Sequence, residues 1–298
     1  RWPPSSLGRE ASKGLDMRRS VILLVAAALL LPAVGVAAGE GGARVSPVLG
    51  SDFRISTNTE WEERPAVAWN ATDGEYLVVW SDFRAPSGLS DIYGRRVRPD
   101  GAPIDTADFR ISGPAATSDE TYPAVAWNAT ADQYLVVWID WRSGSYADIY
   151  GRRLKADGTP LGADFRISVS APKDEGIPDV VWNALNNQYL VVWSDTRFGD
   201  YYAPRIEIYG QRVRGNGSLV GAEIHVSGAG ATGNDTYAAV AWNAVRNQYL
   251  VVWQDNRSVL SSHIYGRRFN ASGAPVGEDF PISRDAGSYS EHDPDVAW

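Results

Sequence analysis

Apolar and polar positions along this chain follow a period-2 pattern in some stretches and run apolar on both faces in others. Helical spacing is absent from the repeated part. The phrase "YLVVW" closes "EYLVVW" at 75–80 and "QYLVVW" at 133–138, 188–193 and 248–253. An apolar, β-rich run of this length predicts a strand buried on both faces. Around it recur three more markers in fixed order. "PAVAWN" stands at 65–70 and 123–128, with "PDVVWN" at 178–183, "AAVAWN" at 238–243 and "PDVAW" at 294–298. "DIYGRR" stands at 91–96 and 148–153, varied to "EIYGQR" at 207–212 and "HIYGRR" at 263–268. "DFRIS" stands at 52–56, 108–112 and 164–168, followed by "EIHVS" at 223–227 and "DFPIS" at 279–283. Its alternation predicts a half-exposed strand. Asp100-Gly101, Asp157-Gly158, Asn216-Gly217 and Ser272-Gly273 are hairpin turn pairs between the last two markers.

Four short antiparallel strands, repeated at intervals of 58, 55 and 60 residues, predict an all-β fold. The expected fold is a β-propeller of four-stranded antiparallel blades covering 49–298. With strands a to d counted from axis to rim, complete blades fall near 65–112, 123–168, 178–227 and 238–283. A lone d strand at 52–56 and a lone a strand at 294–298 are expected to belong to partial blades. The chain therefore reads as a fragment of a six- to eight-bladed propeller, with 52–56 completing the last blade.

The amino-terminal stretch has a different character. "MRRSVILLVAAALLLPAVGVAAGE" starts at Met17 with two arginines, continues as an apolar run and ends in small residues. This is the pattern of a signal peptide at 17–38. Residues 1–16 read as an upstream extension and 39–48 as a linker. Removing residues 1–38 takes five basic and two acidic side chains from totals of 28 and 36, leaving a net charge of −11. That field repels phosphate backbones, so no nucleic-acid partner is expected, and no membrane association after signal cleavage. The expected location is extracellular or periplasmic. Cysteine is absent and histidine appears three times, which leaves no material for a thiolate or His-rich metal centre.

Tryptophan appears 12 times, and nine copies lie on strands a and b, where large rings fill the spaces between blades. Trp61 and Trp141 fall in loops. Spacing separates the loops into two groups. The a–b connection is constant, at 11 residues from Trp to Trp, whereas the b–c spacing from Trp to Tyr runs from 12 to 16. In such a blade the b–c and d–a loops emerge on one side, so variation is confined to one face, where binding usually resides. The insertion "FGDYYAPR" at 198–205 makes Tyr201 and Tyr202, with Trp141, the candidate contacts for a protein or glycan.

Charged residues recur on that face. One pattern is W-x-D-x-R: Asp82 and Arg84, Asp140 and Arg142, Asp195 and Arg197, Asp255 and Arg257. The other is an acid before strand a: Glu62, Glu120, Glu175, Asp235 and Glu291. Those five carboxylates are expected around the mouth of a central channel. They would suit Ca²⁺, which takes several oxygen ligands, or a cationic ligand group. Alternatively each acid pairs with an Arg of the neighbouring W-x-D-x-R and clamps blade to blade. His263 replaces the acid of "DIYG" in the fourth repeat, so this position is not expected to be catalytic. Asn-x-Ser/Thr triplets at Asn70, Asn128, Asn216, Asn234, Asn256 and Asn270 read as turns rather than glycan acceptors.

The phrases "YLVVWSDFR", "DIYGRRV" and "DGTPLGADFRIS" resemble a repeat of large secreted bacterial proteins and, distantly, sialidase-type and TolB-type propellers. The S-x-D-x-G-x-x-W boxes of sialidases are not present. Three functions are compatible with these residues: a secreted binding scaffold using the variable face, a glycoside hydrolase using carboxylates at the channel mouth, and a structural spacer. No motif implies a cofactor, and none fixes the oligomeric state.

Overall fold

Among the described residues, sixteen strands form as four successive groups, because each marker pairs with the one that follows it. The computed structural model describes residues 52–113, 118–169, 173–199, 204–228, 233–257, 261–283 and 290–298. The leader, the segments on either side of it, and Tyr201 and Tyr202 lie outside the described residues. The first sheet contains β1 (Glu62–Asn70), β2 (Glu75–Asp82), β3 (Asp91–Val97) and β4 (Phe109–Arg110). The second contains β5 (Glu120–Asn128), β6 (Gln133–Asp140), β7 (Asp148–Lys155) and β8 (Phe165–Arg166). The third contains β9 (Glu175–Asn183), β10 (Gln188–Gly199), β11 (Pro204–Arg214) and β12 (Leu219–His225). The fourth contains β13 (Asp235–Asn243), β14 (Gln248–Asp255), β15 (His263–Asn270) and β16 (Phe280–Pro281). Every sheet is antiparallel in simple up-and-down order.

The first strands of successive sheets lie side by side, β1 by β5, β5 by β9 and β9 by β13. The sheets thus radiate from a shared inner row of strands, as blades do. The core lies in the seams. Ala68, Leu77, Val79 and Ile92 of the first blade pack with Val125, Trp127, Val136 and Trp138 of the second. Trp193 fills the equivalent seam between blades two and three, and Trp253 that between three and four. Trp138, Trp193 and Trp253 are wholly buried. The b-strand tryptophans are therefore packing residues, each worth a few kcal/mol of apolar burial. On blade one, which has no preceding blade among the described residues, Val67 and Trp69 are 40% and 43% exposed. Their counterparts Val125 and Trp127 are buried.

Two expectations about strands need correction. Residues 52–56 and 294–298 carry the marker sequences but are not strands, because no neighbouring strand supplies a ladder. Residues 53–57 still occupy the site of a preceding d strand. The Phe53 ring lies against Gly101 as Phe109 lies against Gly158, each glycine at φ near +85° in its hairpin turn. A Cβ on Gly158 would come 2.8 Å from Phe109, so a larger residue would both strain the turn and push the blades apart.

The d strands are also shorter than five residues in three blades. Proline stands beside strand c there, at 103, 160 and 275, making only an isolated bridge to Val97, Leu154 and Phe269. It offers no N–H to extend the ladder. Blade three has Leu219 at this position, and β12 runs for seven residues. Leu219→Pro is expected to shorten β12 to the length of its counterparts without unfolding the protein. Faster amide exchange confined to 220–222 would show this, and a global loss of protection would contradict it.

The register also fixes the faces. Glu62 pairs with Asp82 and Asp82 with Asp91, which places the start of a, the end of b and the start of c at one edge. The b–c and d–a loops therefore share a face. The opposite face carries the constant a–b turns, tied together by side-chain amides. Asn128 Nδ2 donates to Asn187 Oδ1 at 2.8 Å, and Asn183 Nδ2 donates to Asn247 Oδ1 at 2.9 Å. Asn70 and Asn128 are fully buried. Each also caps its own turn, Asn70 Oδ1 accepting from Thr72 N and Asn128 Oδ1 from Thr130 N. Asn216 and Asn270 cap the exposed hairpins in the same way.

Candidate functional site

Strand b carries an aspartate, at its last residue in three blades and before the hairpin extension in the third, that its own strand holds in place. Trp80 Nε1 donates to Asp82 at 3.0 Å, and Trp138, Trp193 and Trp253 do the same for Asp140, Asp195 and Asp255. The backbone N–H two residues on adds a second bond, from Arg84, Arg142, Arg197 and Arg257. The guanidinium of the same arginine then folds back onto the aspartate, 2.5 Å from Nη2 in Arg84 and Arg142 and 2.6 Å in Arg257; Arg197 pairs with Asp195 likewise. Burial pushes the Asp82 carboxyl up, but the bonds from Arg84 and Trp80 outweigh it and hold it below the usual range.

The second partner of each arginine is the first acid of the d marker in the same blade. Arg84 reaches Asp108 at 2.9 Å, Arg142 reaches Asp164 at 3.0 Å, Arg197 reaches Glu223 at 2.8 Å and Arg257 reaches Asp279 at 2.5 Å. The guanidinium also lies over the tyrosine of "IYG", 3.6–4.2 Å from the rings of Tyr93, Tyr150, Tyr209 and Tyr265. The W-x-D-x-R arginines thus clamp strand b to strand d within one blade. This corrects the expected pairing with the acid ring across blades. The d-marker acid makes the link between blades instead. Asp108 accepts from Thr57 N, Asp164 from Gly113 N and Glu223 from Val169 N, each donor following the preceding d segment.

The acid ring is also placed differently from the expected channel mouth. Glu120, Glu175 and Asp235 are buried, between their own strand-b aspartate and strands c and d of the preceding blade. Glu120 N donates to Ser90 O and Glu175 N to Ala147 O. Glu175 Oε2 accepts from Ile149 N at 3.2 Å. Arg142 lies 3.4 Å from Glu120, and Arg84 lies 3.9 Å from Glu62. Burial pushes both Glu120 and Glu175 up to about 8, with Asp140 and Asp195 adding repulsion. Asp235 is raised by burial and by Asp255 beside it. Glu62 and Glu291, at the two ends of the row, are half-buried. These acids occupy separate seams. Among the described residues no three His, Cys, Asp or Glu side chains converge to hold a metal ion, so the Ca²⁺ ring is not assembled.

A third pairing, between the first residue of strand c and strand d, sets blade four apart from its siblings. Arg110 meets Asp91 at 2.5 Å, Arg166 meets Asp148 at 2.6 Å and His225 meets Glu207 at 2.7 Å. Blade four changes both members, to His263 and Pro281. His263 Nδ1 there faces Glu291 at 3.6 Å, and its Nε2 lies 2.9 Å from Ser261 Oγ.

With the recurring charges bound internally, the loop face is distinguished by groups that do not recur. Trp141 is half-buried against the seam between blades two and three, so only part of its ring is available. Trp61 is 66% exposed. The blade-three insertion extends β10 and β11 as a hairpin, through pairs Phe198–Arg205 and Gly199–Pro204, towards this face.

The inner strands carry a feature that period-2 reading cannot detect. A register shift follows the ring acid in β1, β5 and β13, and the pairing of β10 with β9 slips at the same place. The bulged residues are Arg64, Tyr122, Ile177 and Tyr237, and Asp293 matches them in the last segment. All five have φ between 49° and 55°. Two residues on, the inner strand has Ala66, Ala124 and Ala239 but Asp179 and Asp295. Asp179 accepts Val240 N of the next inner strand at 2.7 Å and Val180 N at 2.8 Å. Burial pushes it up to about 6 against those two bonds, and the Asp295 charge adds to the rise. An Asp at a position otherwise held by Ala was the sequence signal for this pair.

No family model matches the chain, and no curated protein matches it. Solved structures do. The Penicillium chrysogenum alpha-L-arabinanase complexed with arabinobiose superposes with a TM-score of 0.59 at 14% identity, over 82% of this chain and 74% of that one. The alpha-L-arabinofuranosidase of Fusarium graminearum with arabinobiose gives 0.56 at 12% identity, over 76% and 69%. A Hadza microbial sialidase gives 0.51 at 12% identity, over 72% of this chain and 45% of that one. At such identities the likeness concerns the fold, and with the four radiating sheets it makes this chain an all-β propeller of four-stranded antiparallel blades.

Proposed function

We propose that the chain is an exported propeller, secreted or periplasmic, that binds a glycan or protein through the face bearing its b–c and d–a loops. The observation that carries this reading is the division of the charges. Every W-x-D-x-R arginine is bound within its blade, and the ring acids Glu120, Glu175 and Asp235 are buried in seams, so the recurring groups serve stability. On the loop face Trp61 is exposed and Trp141 half-buried, and neither recurs from blade to blade, as on a recognition surface. The glycan class is favoured because the fold's solved neighbours include two structures with arabinobiose.

The test is calorimetric titration of the purified chain with hexasaccharides of arabinose, xylose, glucose and mannose, and retention on the parent polysaccharides. Saturable binding weakened by Trp141→Ala and by Tyr201→Ala with Tyr202→Ala supports the reading. Absence of binding across the panel and to a surface-protein array contradicts it.

Glycoside hydrolysis is the second reading, and Asp179 with Asp295 favours it. Asp179 on β9 and Asp295 in the last segment stand where the other repeats have alanine, and the Asp295 charge adds to burial in raising Asp179, which suits Asp179 to general acid work. Glu120 and Glu175, buried behind strand b, do not serve in it. Release of chromophore from aryl glycosides, abolished by Asp179→Asn, would establish turnover.

A further inference from the structure

The inner-strand bulges are occupied by residues ill suited to their backbone. Left-handed φ costs an L side chain on the order of 1–2 kcal/mol, and it is especially unfavourable for a β-branched residue such as Ile177. Glycine adopts the same region without that cost, and this chain places glycine at positive φ at eleven other described positions. Yet the four bulges carry Arg64, Tyr122, Ile177 and Tyr237, and the matching position of the last segment carries Asp293. A bulge kept only for its backbone geometry would favour glycine. A side chain other than glycine in every copy, of four kinds among the five positions, points to a role in what it contacts.

Packing accounts for part of two of them. Tyr122 and Ile177 lean on the core between blades two and three, each half-buried. Arg64, Tyr237 and Asp293 are exposed, Tyr237 by 38%. The Arg64 guanidinium lies 4.5 Å from the centre of the Tyr122 ring, so bulge residues of adjacent blades touch. All five stand at the loop end of the inner row, the same end to which the variable loops belong.

We propose that Arg64, Tyr122, Ile177, Tyr237 and Asp293 form the recognition rim for a neutral oligosaccharide. Two phenol rings and an aliphatic side chain offer surfaces for the C–H faces of sugar rings, while one cation and one anion serve hydroxyl groups. A single charge of each sign does not select an ionic ligand, and the excess of acidic residues over the chain, 36 against 28, disfavours polyanions. This rests on the binding reading above and assigns its contacts to the inner strands.

The experiment pairs affinity with stability. Tyr237→Gly and Arg64→Gly are expected to raise the melting temperature by a few degrees, since φ strain is relieved, while weakening hexasaccharide binding by about tenfold or more. Tyr237→Asn and Arg64→Asn, which tolerate the same φ, serve if a glycine variant does not fold. Wild-type binding that survives these changes but is lost with Trp141→Ala would leave the loop-face reading standing and overturn the rim. Binding of protein ligands alone, or of no saccharide, would overturn it as well.

Discussion

Arg142→Ala is expected to destabilise the protein by about 3–5 kcal/mol, the range for leaving buried charges without their partner. Arg142 lies 2.5 Å from Asp140, 3.0 Å from Asp164 and 3.4 Å from Glu120. Asp140 and Glu120 are fully buried. Without the guanidinium, the Asp140 and Asp164 carboxylates would lose their shared cation beside Glu120, and the Tyr150 ring would lose the cation over its face. Arg142→Lys keeps the charge but not the planar fork or the stack, so it should fall between alanine and wild type. Urea unfolding reads the change as a lower midpoint at unchanged slope. A loss below about 1 kcal/mol would mean the clamp behaves as an ordinary surface pair.

The second large effect is on pH dependence. Glu120 and Glu175 are pushed by burial to about 8 in the folded protein. In the unfolded chain they titrate at the ordinary glutamate value, near 4.3. Between these values the folded state keeps protons that the unfolded state releases, so stability falls as pH rises from about 4.5 to 8. The contribution is fully present below the unfolded pKa and is gone above the folded one. Asp82 and Asp108 act in the opposite sense. Although burial raises them, their hydrogen bonds hold them low, so their contribution fades only as pH drops below the ordinary aspartate range. Greatest stability is therefore expected near pH 5, with a decline of a few kcal/mol towards pH 8.5. Glu120→Gln with Glu175→Gln should reduce that decline, Asp235 and Asp179 keeping part of it, and raise the midpoint at pH 8.5. Equal midpoints for wild type and variant at that pH would show that these acids are ionised and compensated.

Blades, strand order and the shared loop face were readable because period and register act on every copy alike. The four "YLVVW" runs could only be central strands, and the constant Trp-to-Trp spacing could only be a tight turn. The partners of the charges were not readable in the same way. Asp108, Asp164, Glu223 and Asp279 looked like the first residues of an outer strand, and only the fold of the blade brings them to Arg84, Arg142, Arg197 and Arg257. The ring acids were assigned to an open mouth because strand a is innermost, yet a bulge turns the backbone just after them and their side chains enter the seams. Bulges themselves leave no composition signal when the bulged residue is Arg, Tyr or Ile. The joint change to His263 and Pro281 was legible in principle, since both members of one ion pair vary in the same repeat. The effect of proline on strand d was legible too, from Leu219 standing where three blades have Pro103, Pro160 and Pro275.

The division of labour between repeating clamps and non-repeating rim is tested most directly by one paired measurement, melting temperature and hexasaccharide affinity on Arg142→Ala, Arg142→Lys, Tyr237→Gly and Arg64→Gly. The expected result is a separation: the Arg142 variants that fold lose stability and keep wild-type affinity, whereas the glycine variants gain stability and lose affinity. Affinity and stability falling together across both groups would contradict it, because recognition would then depend on the same groups that hold the blades.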